Sequence, residues 1–242
     1  MDGHSIGDAW QRVVGTQPDP PGWLVLATGA VALAAILPAP LWRLSRNIVT
    51  IAHEGGHGLV ALLTGRRLSG IRLHSDTSGL TVSSGKPTGT GMILTAAAGY
   101  LAPPLLGLGG AALLAAGHIT ALLWTAIVLL AGLLVMIRNA FGVLSVLATG
   151  AAFLLVSWYA GDRTQAAFAY LGVWFLLLAG VRPVVELQRK RRYGGAPDSD
   201  ADQLARLTGV AAVLWVGLFA VTALASLLAG GSWLIGGWTA GG

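Results

Sequence analysis

The chain is expected to fold as an all-α polytopic membrane protein, with six to seven transmembrane helices and one small β-hairpin. Three observations predict this. Only 10% of the 242 residues are charged, against roughly 25% in ordinary soluble domains. Mean hydropathy is +0.71, which points to lipid as the main solvent. Long apolar stretches recur along the chain, and each approaches the about 20 residues needed to cross a bilayer.

The candidate spans are Trp23–Leu37, Leu41–Leu63, Thr90–Ala116, Ile119–Ile137, Ala140–Tyr159, Thr164–Val185 and Leu207–Leu228. The first is short and ends at Pro38 and Pro40, which invites a break. The Gly107–Gly110 region could break the third. Residues 1–21 read as a polar tail: they carry Asp2, Asp8 and Asp19 and lack the basic start of a signal peptide. Residues 22–230 read as one integral-membrane domain, and 231–242 as a short C-terminal tail.

Two connections are long. Gly65–Gly89 carries Arg66, Arg67, Arg72 and Lys86, and Glu186–Arg206 carries Arg189, Lys190, Arg191 and Arg192. Seven spans put both loops on one side, and the positive-inside rule makes that side cytoplasmic. Arg12, Arg138, Arg182 and Arg206 join them, while Arg43, Arg46 and Arg163 oppose. This count places the N-terminus inside, the C-terminus outside, and loop 186–206 in the cytoplasm. A plasma-membrane location follows as an expectation, with any site built on these loops facing the cytoplasm. The net charge of +5 is thus a topology signal, and no nucleic-acid partner is implied. With no cysteine, disulfides and thiolate metal sites are excluded.

Within the first long loop, Ile71 and Leu73 alternate with polar neighbours, as do Leu80 and Val82, around Ser75-Asp76-Thr77-Ser78-Gly79. That is a hairpin pattern, over about residues 66–85. In the second, Gly194-Gly195-Ala196-Pro197 reads as a turn. The acidic run Asp198, Asp200, Asp202 then stands where a helix begins, and its carboxylates suit that end of the dipole.

Chemistry concentrates in His53-Glu54-Gly55-Gly56-His57. Histidines four apart share a helix face and can hold one ion, and neutral imidazole suits Zn²⁺. Glu54 lies beside that face, where a carboxylate can take a proton from an attacking water and return it to a leaving amine. Ionisable groups inside an apolar span are costly and usually functional. The plain alternative is a polar patch joining helices. Gly55, Gly56 and Gly58 would admit another helix or a substrate backbone closely.

From about Ile48 to Trp215 the sequence resembles the site-2 protease class of intramembrane zinc metalloproteases, in its B-like branch. The resemblance rests on the His53–His57 motif, then Gly65-Arg66-Arg67, and the hairpin segments Ile71-Arg72-Leu73-His74 and Ser78-Gly79-Leu80-Thr81. Ala98-Gly99-Tyr100-Leu101, Arg138-Asn139-Ala140-Phe141-Gly142 and Ser199-Asp200-Ala201 through Leu204-Ala205 extend it in order. It implies a metal held by two histidines and one aspartate, and a β-loop re-entering the membrane from the cytoplasmic face. It also implies hydrolysis of peptide bonds of membrane-protein substrates in or near the bilayer.

The sequence departs from the family's N-x-x-P-x-x-x-x-D-G element, because eight residues after Asn139 stands Leu147. The third ligand must therefore lie elsewhere, or be absent. Asp200 is selected because it sits in the Ser-Asp-Ala element and in the cytoplasmic acidic cluster. Asp162 and Asp202 stay open as alternatives. Asn139 is read as a donor to substrate backbone or to the tetrahedral oxyanion, with a polar helix end as the plain alternative. His74 reads as a surface residue. Two other function classes compete: a catalytically inactive relative that binds or scaffolds membrane proteins, and a metal transporter. The transporter reading needs ligands spread over several spans.

Overall fold

Two prolines set the first bend of the chain. The computed structural model describes residue 11 and residues 13–194 and 196–239; Asp2, Asp8, Arg12 and Gly195 lie outside the described residues. Helix α1 (Gly22–Ile36) is followed after two residues by α2 (Ala39–Leu63), with Pro40 in its first turn. A proline cannot donate the bond that would continue α1, and the axis turns by 105°. The carbonyls freed at the end of α1 find partners. Arg182 donates to the Ile36 carbonyl and, at 3.2 Å, to that of Leu37; Ser45 Oγ donates to Ala35 at 3.2 Å. The Arg182 guanidinium also lies 4.8 Å over the Trp42 ring and pairs with Glu186 at 3.1 Å. The expected first two spans are therefore one broken unit.

After α2 come strands β1 (Arg67–Leu73) and β2 (Gly79–Ser84), then α3 (Thr90–Ala115), α4 (Ile119–Met136), α5 (Ala140–Tyr159) and α6 (Asp162–Ala179). Helix α7 (Val181–Arg192) continues α6, and α8 (Asp200–Thr208) and α9 (Ala212–Thr239) close the described chain. Helices α3, α4, α5, the α6–α7 stretch and α9 are long and apolar enough to cross a membrane, making five spans, or six with the α1–α2 pair. Two expectations need correction. Helix α3 runs unbroken through Gly107–Gly110, because those glycines take the close approach of α6: Cβ atoms there would meet Leu177 at 3.0 Å and Val173 at 2.7 Å. The last helix extends to Thr239, through most of the segment assigned to a C-terminal tail.

The tail also moves. Gln17 N donates to the Gly117 carbonyl at 2.8 Å, and the Thr120 N–H donates to Gln17 Oε1 at 3.2 Å. This docks residues 15–17 on the α3–α4 turn, at the end of α3 away from the hairpin. Arg43 and Arg46 meanwhile lie near the α1–α2 break, Arg46 reaching Glu186 at 3.7 Å. They share the end that carries Arg182, the hairpin and loop 186–206. Of the basic residues opposing the expected orientation, only Arg163 remains at the other end among the described residues. The charge asymmetry is thus steeper than seven spans implied, and the described part of the N-terminal tail sits opposite the hairpin.

Three apolar clusters hold the pieces. Trp174, Leu177 and Val173 of α6 pack on α1 and α3. Leu187, Leu204, Ala201 and Phe219 join α7, α8 and α9 to Ala96 and Ala97 of α3. Ile51, Ile71, Leu73, Ile137 and Val146 seat the hairpin against α2, α4 and α5.

Candidate active site

His53 and His57 lie one turn apart on α2, and α3 crosses that turn closely. The crossing depends on two missing side chains. A Cβ at Gly56 would lie 2.4 Å from Ala102 Cβ and 2.9 Å from the Ala98 carbonyl oxygen. A Cβ at Gly99 would lie 2.3 Å from His57 Nε2 and 2.6 Å from His53 Nε2. Gly99 therefore keeps open the space in front of both nitrogens. Of the three glycines in this stretch, Gly56 meets α3, Gly58 meets Ile71 of the hairpin at 2.9 Å, and Gly55 meets only Leu133, at 3.9 Å.

His57 Nδ1 is 2.7 Å from the Thr95 carbonyl oxygen. A carbonyl only accepts, so Nδ1 carries the proton and Nε2 offers its lone pair. The two Nε2 atoms are 3.2 Å apart. Asp200 Oδ2 lies 3.3 Å from His53 Nε2 and 3.4 Å from His57 Nε2. Ligand atoms about 2.1 Å from one tetrahedral centre stand about 3.4 Å from one another, so this donor set fits a Zn²⁺-sized ion. Among the described residues no other group of three histidines and carboxylates converges in this way. Burial alone would raise the Asp200 carboxyl, yet positive charge on the adjacent His57 holds it well below the usual carboxylate range when no metal takes the Nε2 lone pair.

Asp200 reaches the histidines because of how α8 begins. Ser199 is the N-cap, accepting from Asp202 N at 3.3 Å and donating from Oγ to Asp202 Oδ2 at 2.6 Å. Asp202 also pairs with Arg191 of α7. Fully buried Leu204 and Ala201 press α8 onto α3 and α9. Asp202 is therefore a cap and anchor, and Asp198 is exposed. Asp162 opens α6 as an exposed residue, one transmembrane helix away from the hairpin end. His74 is exposed at the hairpin turn, beside Ser78 at 3.3 Å.

Glu54 is 5% exposed and lies under β2. Thr81 Oγ1 donates to Glu54 Oε2 at 2.6 Å, and a Cβ at Gly79 would stand 2.4 Å from Glu54 Cγ. Thr50, one turn earlier, donates to the Thr77 carbonyl at 2.8 Å. The hairpin pairs Ile71 with Thr81 and Leu73 with Gly79. One face is buried through Ile71 and Leu73, while Leu80 and Val82 stay exposed on the other.

The outer edge of β1 is covered by residues 137–139. Ile137 bridges Ile71, and Arg138 N donates to the Ile71 carbonyl at 2.9 Å. The Asn139 carboxamide donates to the Leu73 carbonyl at 2.6 Å and accepts from Leu73 N at 3.2 Å. Asn139 thus imitates a strand residue and fastens the hairpin. Among the described strands, β2 keeps a free edge.

Thr81, Thr95, Gly99 and Tyr100 had no assigned role in the sequence reading. Tyr100 stands edge-on to His53 with ring centroids 4.9 Å apart and stacks on Phe219 at 5.0 Å. It lines a pocket of about 290 Å³ with Arg46, Glu186, Lys190 and Ser199. The Ala98–Leu101 segment was the one signal pointing to Gly99 and Tyr100. Nothing in sequence spacing joins Thr81 to Glu54.

No curated protein and no solved structure matches the chain. The family described as Peptidase M50B-like matches residues 26–230, a stretch that includes every element of this site. The chain belongs to the Peptidase M50B-like family.

Proposed function

We propose that the protein is an intramembrane zinc metalloprotease that hydrolyses peptide bonds of membrane proteins in or near the bilayer. The observation that carries this reading is the convergence of His53, His57 and Asp200 beside buried Glu54. His53, His57 and Asp200 would hold the metal. Bound Zn²⁺ would polarise the scissile carbonyl and make the attacking water acidic near neutral pH. Glu54 takes the proton of that water and passes it to the leaving nitrogen. Thr81, by donating to Oε2, fixes the orientation of that carboxylate.

Substrate is held by the hairpin. A peptide in extended form can add to the free edge of β2 through main-chain hydrogen bonds, beside exposed Leu80 and Val82. A helical substrate segment must unwind first, since its own bonds occupy those groups. Asn139 acts by fixing β1, so that β2 presents its edge at a set height above Glu54. Water reaches the site from the polar pocket beside Tyr100. With the basic end inside, that pocket opens to the cytoplasm.

The test is a comparison of membrane proteomes with the wild-type chain and with Glu54→Gln. New termini within or beside transmembrane segments, present with wild type and absent with Glu54→Gln, are expected. Identical termini in both would leave the inactive, scaffolding relative as the correct reading.

A further inference from the structure

Four consecutive basic residues close α7, and helical phase sends them to different places. Arg191 turns inward to pair with Asp202. Lys190 lines the pocket beside Tyr100. Arg189 and Arg192, three apart and so on one face, are exposed, and neither has an ion pair among the described residues. Positive-inside topology needs charge at this end, but it does not select a face.

That face borders a groove of about 530 Å³ between α7 and α9, away from the metal-ligand cluster. Its α7 wall is Val184, Val185, Gln188, Arg189, Arg192 and Tyr193; its α9 wall includes Val216, Gly217 and Ala220. The two helices run in opposite senses, so the groove has a polarity gradient. Arg189, Arg192 and Tyr193 stand at the outer, interfacial end. Val184, Val185 and Ala220 stand toward the bilayer interior. At the floor, a Cβ at Gly217 would meet nothing within 4 Å, so the space there is open.

We propose that this groove is a binding site for one anionic phospholipid, its phosphate held by Arg189 and Arg192 and its acyl chain laid along Val184, Val185, Val216 and Ala220. The match is one of order as well as charge: phosphate outermost, glycerol region beside Tyr193, hydrocarbon inward. Paired basic residues at the cytoplasmic end of transmembrane helices favour anionic headgroups over zwitterionic ones, and a tyrosine suits the interface between them.

The test uses the purified full chain, stripped of lipid in detergent and offered equal amounts of phosphatidylglycerol and phosphatidylcholine. Native mass spectrometry counts what stays bound. One tightly held phosphatidylglycerol is expected, at about tenfold preference or more for two arginines near the headgroup. Arg189→Gln with Arg192→Gln should reduce the preference to near parity. Gly217→Leu places a side chain where an added Cβ meets nothing within 4 Å, and should expel the lipid while leaving helical content and zinc content unchanged. Equal retention of the two lipids by wild type would overturn the proposal. So would undiminished phosphatidylglycerol preference in folded Gly217→Leu, which would assign the effect to loose surface charge. Full displacement by inorganic phosphate would mean an anion site without an acyl groove, and would also overturn it.

Discussion

At the residue scale the site depends on two small or hydroxylated residues as much as on its ligands. Gly99→Ala should abolish metal retention, because the added carbon would occupy the space 2.3 Å from His57 Nε2; zinc analysis of the purified variant checks this. Thr81→Val should lower kcat by about tenfold to a hundredfold, as expected for loss of a hydrogen bond to a charged group, with KM and zinc content little changed. Thr81→Ser should restore most of the rate. A KM defect with normal kcat would instead make Thr81 part of the substrate edge. Glu54→Gln should keep zinc and lose turnover, since an amide cannot accept the proton. The histidine pair on α2 was legible in the sequence because an i, i+4 spacing is local. Thr81 was not, because its hydrogen bond to Glu54 crosses from strand to helix and depends on the hairpin's register. Asn139 was legible as a polar residue of interest, but its pairing with Leu73 depends on α5 starting beside β1.

At the element scale, the hairpin and α8 are the two pieces brought to α2 from elsewhere in the chain. Asn139→Ala leaves both Leu73 backbone groups without their partner, a loss of about 1–3 kcal/mol per buried group. It should lower melting temperature and activity together, while zinc stays bound, because the ligands lie on α2 and α8. Scanning calorimetry with metal analysis separates the two effects. Arg191→Gln should weaken zinc retention several-fold without removing a ligand, because it loosens the start of α8. The hairpin was readable from alternation and a turn sequence. Its one buried face was not, since Ile71 and Leu73 go inward while Leu80 and Val82 remain exposed. The start of α8 was readable from the acidic run, and its Ser199 cap follows the same local chemistry. The bend between α1 and α2 was only half readable: Pro38 and Pro40 announce a break, but Arg182, which caps it, lies 146 residues away from Ile36.

At the scale of the whole molecule, the described basic residues other than Arg163 share one end of the bundle with the site. Cysteine introduced at Ser199 of this cysteine-free chain should resist impermeant thiol reagent applied to intact cells. Cysteine introduced at Gln17 should be labelled, because residues 15–17 dock at the opposite end. Labelling of Ser199→Cys from outside would reverse the orientation. Counting seven spans from hydropathy placed the N-terminus with the hairpin, because it took α1 and α2 as two spans where they meet the length and hydropathy of a span only together. Their 105° bend changes the parity. Helices α4 and α5 are legible for the opposite reason: they are apolar on nearly all faces and little buried within the protein, as lipid-facing helices are.

The central claim is that Asp200 joins His53 and His57 around one metal ion. Zinc content of the purified full chain, measured for wild type and for four aspartate variants, tests it most directly. About one zinc per chain is expected in wild type, close to none in Asp200→Ala, and near-normal content in Asp162→Ala and Asp198→Ala. Asp202→Ala should fall between, through its contact with Arg191 and Ser199. Full zinc in Asp200→Ala alongside loss in Asp162→Ala would contradict the account and place the site at the other end of the molecule.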